Sequence, residues 1–266
     1  MTSPLTGRVA VVTGGARGIG AATATALARA GATVAIGDLD PDADAGQGAL
    51  DVTDRAAFTA FLDEVEGRLG PIDVLVNNAG IMPLIRIEDE PDTLTARILA
   101  VNLHAVIHGS REAVRRMKPR GRGHIVNVAS VAAKIAFPGA ATYAATKSGV
   151  LGFSEALRTE LRGTGVAVSC VLPGLVATEL ASGIAVRGYR PVGPDVVAAA
   201  IVRAVCRPRF EVYVPRSVGP TVKLGALLGR RFGDWLQRVT RADTPMLEAI
   251  GSAERAAYEQ RAAGSP

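Results

Sequence analysis

The sequence has few aromatic residues, few cysteines and no long apolar run. Aromatic side chains make up 4% of the residues and apolar side chains 48%, and the apolar part is mostly Ala, Val, Leu and Ile. This composition is typical of a parallel sheet covered by helices. Cys170 and Cys206 lack metal-ligand spacing, which argues against a disulfide framework and a metal site and favours a reducing compartment.

The first residues lack the features of a targeting segment. Met1–Arg8 is short and polar, and the apolar run Val9–Val12 is too short for a signal sequence or a membrane span. We therefore expect a cytoplasmic protein.

Strand-like and helix-like segments alternate along the 266 residues. The expected strands are Val9–Thr13, Thr33–Ile36, Ala49–Val52, Val74–Val76, Ile125–Val128 and Val166–Leu172; the expected helices are Ala21–Ala30, Arg55–Arg68, Thr93–Met117 and Tyr143–Leu161. This alternation predicts an α/β fold with right-handed crossovers and a doubly wound parallel sheet. Because the composition changes after Pro215, we expect one main domain over residues 1–215 and a basic helical C-terminal extension over residues 216–266.

A glycine-rich turn lies between the first strand and the first helix. It contains Gly14, Arg17, Gly18, Ile19 and Gly20. Glycines let a backbone approach a pyrophosphate closely, and the helix N-terminus offers free N–H groups to that anion. A plain strand-to-helix turn is the alternative, but the strand before and the helix after favour a dinucleotide site.

Asp38, at the end of the second strand, indicates which dinucleotide is bound. A carboxylate there can accept hydrogen bonds from the adenosine ribose and repels the additional phosphate of NADP. Arg17 favours the opposite choice, since it can pair with that phosphate. We expect NAD, with NADP as the alternative; Asp38 can also be an ordinary turn residue.

Tyr143 and Lys147 are four residues apart on a predicted helix and so share one face. A neighbouring ammonium stabilises a phenolate and is expected to lower the pKa of the tyrosine. Ser130, at the end of a predicted strand, can bind a substrate oxygen or cap the local backbone. Tyr143 and Lys147 can otherwise be a buried tyrosine beside a lysine that reaches the surface.

Together these motifs resemble the short-chain dehydrogenase/reductase family over roughly residues 7–215. The resemblance rests on the glycine turn, Asn77-Asn78-Ala79-Gly80, Ser130, Tyr143 with Lys147, and Pro173-Gly174. It implies a Rossmann-type sheet of about seven strands in the order 3-2-1-4-5-6-7, NAD(P)-dependent chemistry at CH–OH groups, and a homodimer or homotetramer.

The resemblance also assigns individual roles. Ser130, Tyr143 and Lys147 are the expected catalytic residues, together with Asn102, which would hold a water for proton relay or otherwise be a mid-helix kink residue. The expected cofactor-binding residues, besides the glycine turn, Asp38, Tyr143 and Lys147, are Asp51, Val52, Asn78, Ala79, Gly80, Pro173, Gly174, Val176 and Thr178.

The chain departs from the family between Asp38 and Asp51. Family members commonly carry a helix there, but Asp40–Gly48 is rich in Asp, Gly and Ala and is expected to form a loop or a single turn. The adenine end of the cofactor site is therefore expected to be more open than usual.

The expected substrate is a lipophilic alcohol or carbonyl compound. Its predicted pocket residues are mainly apolar: Met82, Ile135, Phe137, Leu175, Leu180, Ile184, Val186 and Tyr189. The function so indicated is NAD(H)-dependent interconversion of a secondary or primary alcohol and its ketone or aldehyde. The alternatives are an NADP-dependent 3-oxoacyl thioester reductase and a non-catalytic dinucleotide-sensing protein.

The C-terminal extension suggests a further partner. Residues 222–239 mix apolar and basic side chains, a pattern that can contact a membrane surface peripherally or can seal the pocket or an oligomer interface. No nucleic-acid-binding module is recognisable, so we expect no nucleic-acid partner.

Overall fold

The centre of the computed structural model, which describes residues 3–185, 190–229 and 244–264, is a seven-stranded parallel sheet. Its order is β3-β2-β1-β4-β5-β6-β7, and this confirms the predicted Rossmann-type fold. The strands are β1 (Val9–Thr13), β2 (Thr33–Asp38), β3 (Gly48–Ala49), β4 (Ile72–Asn77), β5 (Gly123–Val128), β6 (Val166–Pro173) and β7 (Glu211–Val214).

Helices cover both faces of the sheet. They are α1 (Gly18–Arg29), α2 (Arg55–Leu69), α3 (Asp92–Leu99), α4 (Ala105–Met117), α5 (Ala141–Glu160), α6 (Pro194–Cys206), α7 (Val218–Leu228), α8 (Thr244–Ala249) and α9 (Ala256–Ala263). One core cluster joins the sheet to α2, α4 and α5, and a second joins it to α1 and α6. A sheet buried on both faces explains why its strands are nearly continuous apolar runs.

The order in which the chain adds strands to the sheet reverses between β1 and β4, both central strands. β1 pairs with β2 on one side and with β4 on the other. Loops that leave the carboxyl ends of these strands diverge and open a crevice, where open α/β sheets bind ligands. Asp38 ends β2 at this edge, and the glycine turn and Asn78 follow β1 and β4 there.

Two predicted elements differ from the observed ones, and two observed elements were not predicted. The strand expected at Ala49–Val52 is only Gly48–Ala49, because the Asp51 carboxylate binds the amide and hydroxyl of Thr53 and turns the chain toward α2. The helix expected over Thr93–Met117 contains a π-helical turn at Ala100–His104. Strand β7, which is only four residues long, was not located by the residue pattern. Helix α6 was not located either.

The C-terminal extension is helical where it is described, as expected. The domain boundary at residue 215 remains a prediction. Most of the basic stretch, residues 230–243, lies outside the described residues. No helix in the described ranges has the length and hydropathy that a membrane span requires.

Candidate active site

The turn between β1 and α1 is shaped by its glycines. Gly14 and Gly18 have φ angles of 62° and 55°, which residues with a side chain rarely adopt. A side chain on Gly20 would collide with the Gly14 carbonyl oxygen, while Ile19 packs into the core beneath the turn. In the described part of the chain no side chain caps the N-terminus of α1. The turn therefore fits a pyrophosphate, which would accept the free N–H groups of this helix end.

Asn78 holds this turn from the neighbouring strand. Its side-chain amide donates hydrogen bonds to the carbonyl oxygens of Thr13 and Gly14, at 3.0 and 2.9 Å. Ala79 lies so close to Gly14 that a Cβ on Gly14 would be 2.8 Å from the Ala79 Cα. Gly80 continues toward Lys147, whose Nζ would be 3.5 Å from a Cβ on Gly80. The segment thus joins the glycine turn to the tyrosine–lysine pair.

Asp38 is fixed by the backbone of the turn. Its carboxylate is 7% exposed and accepts hydrogen bonds from the Ala16 amide at 2.9 Å and the Asp40 amide at 3.1 Å. Arg17 pairs with Asp40 at 3.0 Å and lies 3.8 Å from Glu179. Arg17, the residue whose charge favours NADP, is therefore neutralised by the carboxylates of Asp40 and Glu179.

The loop after β2 is short, as expected. Residues 43–46 form a turn that leads directly into β3. Asp51 is exposed and bonded to Thr53, whereas Val52 is buried. Asp51 and Val52 thus follow β3 on the Asp38 side of the turn.

Tyr143 and Lys147 meet on the buried face of α5. They are 6% and 4% exposed, and Lys147 Nζ lies 5.6 Å from the centre of the Tyr143 ring. This ammonium also donates a hydrogen bond to the Val128 carbonyl oxygen at 3.0 Å. The ring, the ammonium and the end of β5 are therefore in one place.

The pKa values of this pair are set mainly by burial. Burial raises the pKa of Tyr143 to about 12, although its hydrogen bond with the Ser130 side chain acts in the opposite direction. Burial lowers the pKa of Lys147 to about 8. The pKa of Tyr143 is therefore raised by burial, whereas the sequence predicted that the neighbouring ammonium would lower it.

Ser130 both caps the local backbone and interacts with Tyr143. Its hydroxyl accepts the Ala132 amide at 3.1 Å and so caps a short turn after β5. The same side chain is hydrogen-bonded to Tyr143. Local capping fixes the hydroxyl where it can share a substrate oxygen with the tyrosine.

Asn102 lies in the π-helical turn and is completely buried. Its amide accepts the Ile81 N–H and donates to the Ile81 carbonyl, both at 2.8 Å. A Cβ on Gly80 would be 3.3 Å from its Oδ1. The π turn, a feature frequent at functional sites, thus ties the chain after Gly80 to the helix beside α5.

The segment after β6 closes the other side of the glycine turn. Pro173 ends β6, and the Gly174 amide donates to the Val214 carbonyl of β7 at 2.7 Å. Val176 is buried, and the Thr178 methyl group would be 3.3 Å from a Cβ on Gly18. Two cofactor-binding candidates from distant parts of the sequence are therefore in contact.

An apolar cluster surrounds Tyr143. It includes the expected pocket residues Met82, Phe137, Leu175, Leu180 and Ile184. Ile135 is not among its members and is 40% exposed, while Val186 and Tyr189 lie outside the described residues.

Sequence reasoning missed the C-terminal members of this cluster. Met246, Ala249 and Ile250 belong to it, and Arg255 is completely buried beside it. The available signal was the spacing of Arg255, Tyr258 and Glu259, which puts three large polar side chains on one face of a short helix.

Comparisons with known proteins agree with this geometry. The family model for short chain dehydrogenases matches residues 8–186. A 3-oxoacyl-(acyl-carrier-protein) reductase of Haemophilus influenzae is 38% identical over 189 residues, which cover 66% of this chain and 77% of that protein. A 3-alpha-(or 20-beta)-hydroxysteroid dehydrogenase of Mycobacterium bovis is 40% identical over 190 residues, covering 68% of this chain and 73% of that protein.

The matched region contains the sheet through β6, the glycine turn, and the serine, tyrosine and lysine that meet beside it. The chain belongs to the short-chain dehydrogenase/reductase family, oxidoreductases that act on CH–OH groups with a nicotinamide dinucleotide.

Proposed function

We propose that the chain interconverts a lipophilic alcohol and its ketone or aldehyde with NAD(H). The observation that carries this proposal is the position of Tyr143, which is hydrogen-bonded to Ser130 within an otherwise apolar cluster. An apolar wall with a few convergent polar groups suits a mainly hydrocarbon substrate with one reacting oxygen.

In this mechanism Tyr143 moves the proton at the substrate oxygen. With a pKa raised to about 12, its hydroxyl holds the proton at neutral pH and can donate it to a carbonyl oxygen. When bound, a nicotinamide would supply the hydride for the carbonyl carbon. In alcohol oxidation Tyr143 must first release its own proton, and the phenolate then takes the proton of the substrate hydroxyl while the hydride would pass to the oxidised nicotinamide.

The neighbouring residues support that transfer. Ser130 shares the substrate oxygen with Tyr143 and orients it. Lys147, with a pKa lowered to about 8, is mostly charged at neutral pH and stabilises the phenolate that remains after proton donation. Asn102 keeps the Ile81 backbone in place and contributes to the path that returns a proton to Tyr143.

The remaining candidates would hold the cofactor. We propose that Gly14, Gly18, Ile19 and Gly20 bind the pyrophosphate, with Asn78, Ala79 and Gly80 holding the turn. Asp38 would bind the adenosine ribose, and Asp51 and Val52 would flank the adenine. Pro173, Gly174, Val176 and Thr178 would meet the nicotinamide half, with Lys147 and Tyr143 on its ribose side.

NAD is favoured over NADP because Asp38 is fixed at the turn while Arg17 is paired with Asp40. A phosphate on the ribose would meet the Asp38 carboxylate and would compete with Asp40 for Arg17.

A panel of ketones and alcohols tests this function directly. The purified protein is assayed by NADH absorbance against aliphatic, aromatic, terpenoid and steroid compounds and against polar sugars. The proposal expects turnover of apolar compounds; turnover of sugars alone would overturn it.

A 3-oxoacyl thioester is the second candidate substrate. It is favoured by the similarity to the reductase of Haemophilus influenzae, whose name specifies such a substrate. Acetoacetyl-CoA in the same panel, with NADH and with NADPH, decides between the two: a clear preference for the thioester with NADPH supports the second candidate.

We also propose that the protein is a cytoplasmic homodimer or homotetramer with a peripheral membrane contact at residues 222–239. In α7, Leu224, Leu227 and Leu228 are 55%, 83% and 49% exposed, and basic residues follow in the sequence. Vesicle flotation tests the contact, since no co-migration with anionic vesicles at low salt would exclude it. Light scattering after size exclusion gives the oligomer size.

A further inference from the structure

The C-terminal residue Arg255 is buried although it is charged. Its side chain is 0% exposed, and its guanidinium donates to the carbonyl oxygens of Met82, Leu180 and Ser182 at 2.7 to 3.0 Å. It also pairs with Glu259 at 2.8 Å. A buried charge is tolerated only where such partners replace water, so this position is built for a guanidinium.

Two neighbours of Arg255 bind the same region of the chain. The Tyr258 hydroxyl accepts the Met82 amide at 2.7 Å, and Glu259 accepts the Leu84 amide at 3.2 Å. The guanidinium also lies 5.0 Å from the centre of the Tyr258 ring. We call Arg255, Tyr258 and Glu259 the C-terminal clamp.

The clamp joins two loops that are far apart in sequence. The first, residues 82–84, follows the Ile81 backbone that Asn102 holds. The second, residues 180–182, follows Thr178, which contacts the glycine turn. Each loop therefore runs from a cofactor-side residue to the apolar cluster.

Both loops contribute to the apolar cluster around Tyr143. Met82, Leu84 and Leu180 belong to it. Tyr258 is also near the tyrosine: burial raises its pKa, and the electrostatic influence of Tyr143 adds to that rise. A change in the clamp is therefore expected to move residues of the apolar cluster around Tyr143.

We propose that the C-terminal clamp positions the substrate wall and sets which substrate sizes the enzyme accepts. This proposal rests on the proposed function and deepens it. Arg255, Tyr258 and Glu259 act through the two loops and do not take part in proton or hydride transfer. They lie beyond residues 8–186, the region that the family model matches, although the loops that they hold lie within it.

The variants Arg255→Lys, Arg255→Met and Tyr258→Phe test the clamp, with exposed Gln260→Ala on the same helix as the matched control. Lysine keeps the charge but cannot reproduce the planar set of donors. Phenylalanine keeps the ring and removes only the acceptor of the Met82 amide.

Two measurements are made on each folded variant. The first is amide hydrogen exchange at Met82 and Leu84, which needs no substrate. The second is kcat and KM for NADH-dependent reduction of cyclohexanone and of benzophenone, together with the Kd of NADH.

We expect faster Met82 exchange in Tyr258→Phe while Leu84 stays protected, and faster exchange at both amides in the Arg255 variants. We expect the ratio of kcat/KM for the two ketones to change by about tenfold in Arg255→Met and less in Arg255→Lys. The Kd of NADH and all values for Gln260→Ala should stay within about twofold of wild type.

An unchanged ketone ratio in variants with faster exchange overturns the proposal, as does equal loss of NADH binding and ketone reduction. If Arg255→Met does not fold, Arg255→Lys and Tyr258→Phe decide by the same criteria. If wild-type protein reduces no compound, the proposed function fails and the substrate-size part of the proposal fails with it. Exchange at Met82 and Leu84 then tests only whether the clamp positions the two loops: unchanged exchange overturns that part, and faster exchange supports it.

Discussion

The Asp38 carboxylate accepts a hydrogen bond from the Ala16 amide at 2.9 Å. This contact fixes a negative charge at the end of β2, directly beside the glycine turn. It links the end of β2 to the turn that would hold the pyrophosphate, and it supports the proposed preference for NAD.

Replacing Asp38 with asparagine is expected to weaken that preference. Wild-type kcat/KM should be higher with NADH than with NADPH, and Asp38→Asn should lower the ratio by about tenfold, because the charge is lost while an acceptor for the Ala16 amide remains. Steady-state kinetics with both cofactors measure this.

Asp40→Asn is the matched control for Asp38→Asn. It releases Arg17 from its ion pair but leaves the Asp38 carboxylate in place, so we expect a smaller change in the ratio. A wild-type preference for NADPH would contradict the account of Asp38.

The direction of the reaction should depend on pH through Tyr143 and Lys147. Since the pKa of Tyr143 is raised to about 12, ketone reduction needs no deprotonation, whereas alcohol oxidation gains from higher pH. Lys147 is charged below its pKa of about 8 and neutral above it. We expect reduction to stay level below about pH 8 and to decline above it, while oxidation rises with pH.

Initial rates in both directions over a pH series at saturating cofactor measure these profiles. An alcohol oxidation rate that falls as the pH rises toward 8 would contradict the assignment of the proton to Tyr143.

Removing the Asn102 side chain should destabilise the fold as well as the site. Asn102→Ala leaves the Ile81 N–H and carbonyl without their partners, and we expect the free energy of unfolding to fall by about 2 kcal/mol. Urea unfolding measures the change. Asn102→Asp is the control, because it keeps an acceptor for the Ile81 amide. Stability equal to wild type in Asn102→Ala would refute the structural part of this role.

Acid should destabilise the protein through His124. Burial lowers the pKa of His124 to about 4, so between about pH 6.5 and 4 the unfolded chain binds a proton that the folded chain does not. Stability therefore falls as the pH falls through this window, by up to about 3 kcal/mol.

His124→Gln is the comparison for this effect, because glutamine can still bond the Ser169 hydroxyl that His124 contacts at 2.8 Å. Urea unfolding at several pH values should give a shallower slope for the variant. Equal slopes would show that His124 does not contribute.

Local sequence signals located the glycine turn and the Tyr143–Lys147 pair, whose geometry the structure shows. The glycine turn, Asp38 and the Tyr143–Lys147 spacing depend on backbone conformations and distances within one element, which a sequence pattern specifies. The direction of the Tyr143 pKa could not be predicted in this way, because it depends on burial that the whole fold creates.

The apolar cluster around Tyr143 was anticipated from the sequence only in part. Arg255 resembles a surface arginine in its short polar segment, yet its partners are carbonyl oxygens from two loops more than 70 residues earlier in the chain. Backbone acceptors leave no trace in the sequence, so the clamp became visible only when the fold brought the loops together.

The Tyr143→Phe variant tests the central claim most directly. Phenylalanine keeps the buried ring and removes the hydroxyl that would exchange a proton with the substrate. We expect NADH-dependent ketone reduction to fall by at least about a hundredfold while the Kd of NADH changes little. Full activity in a folded Tyr143→Phe variant would contradict the mechanism.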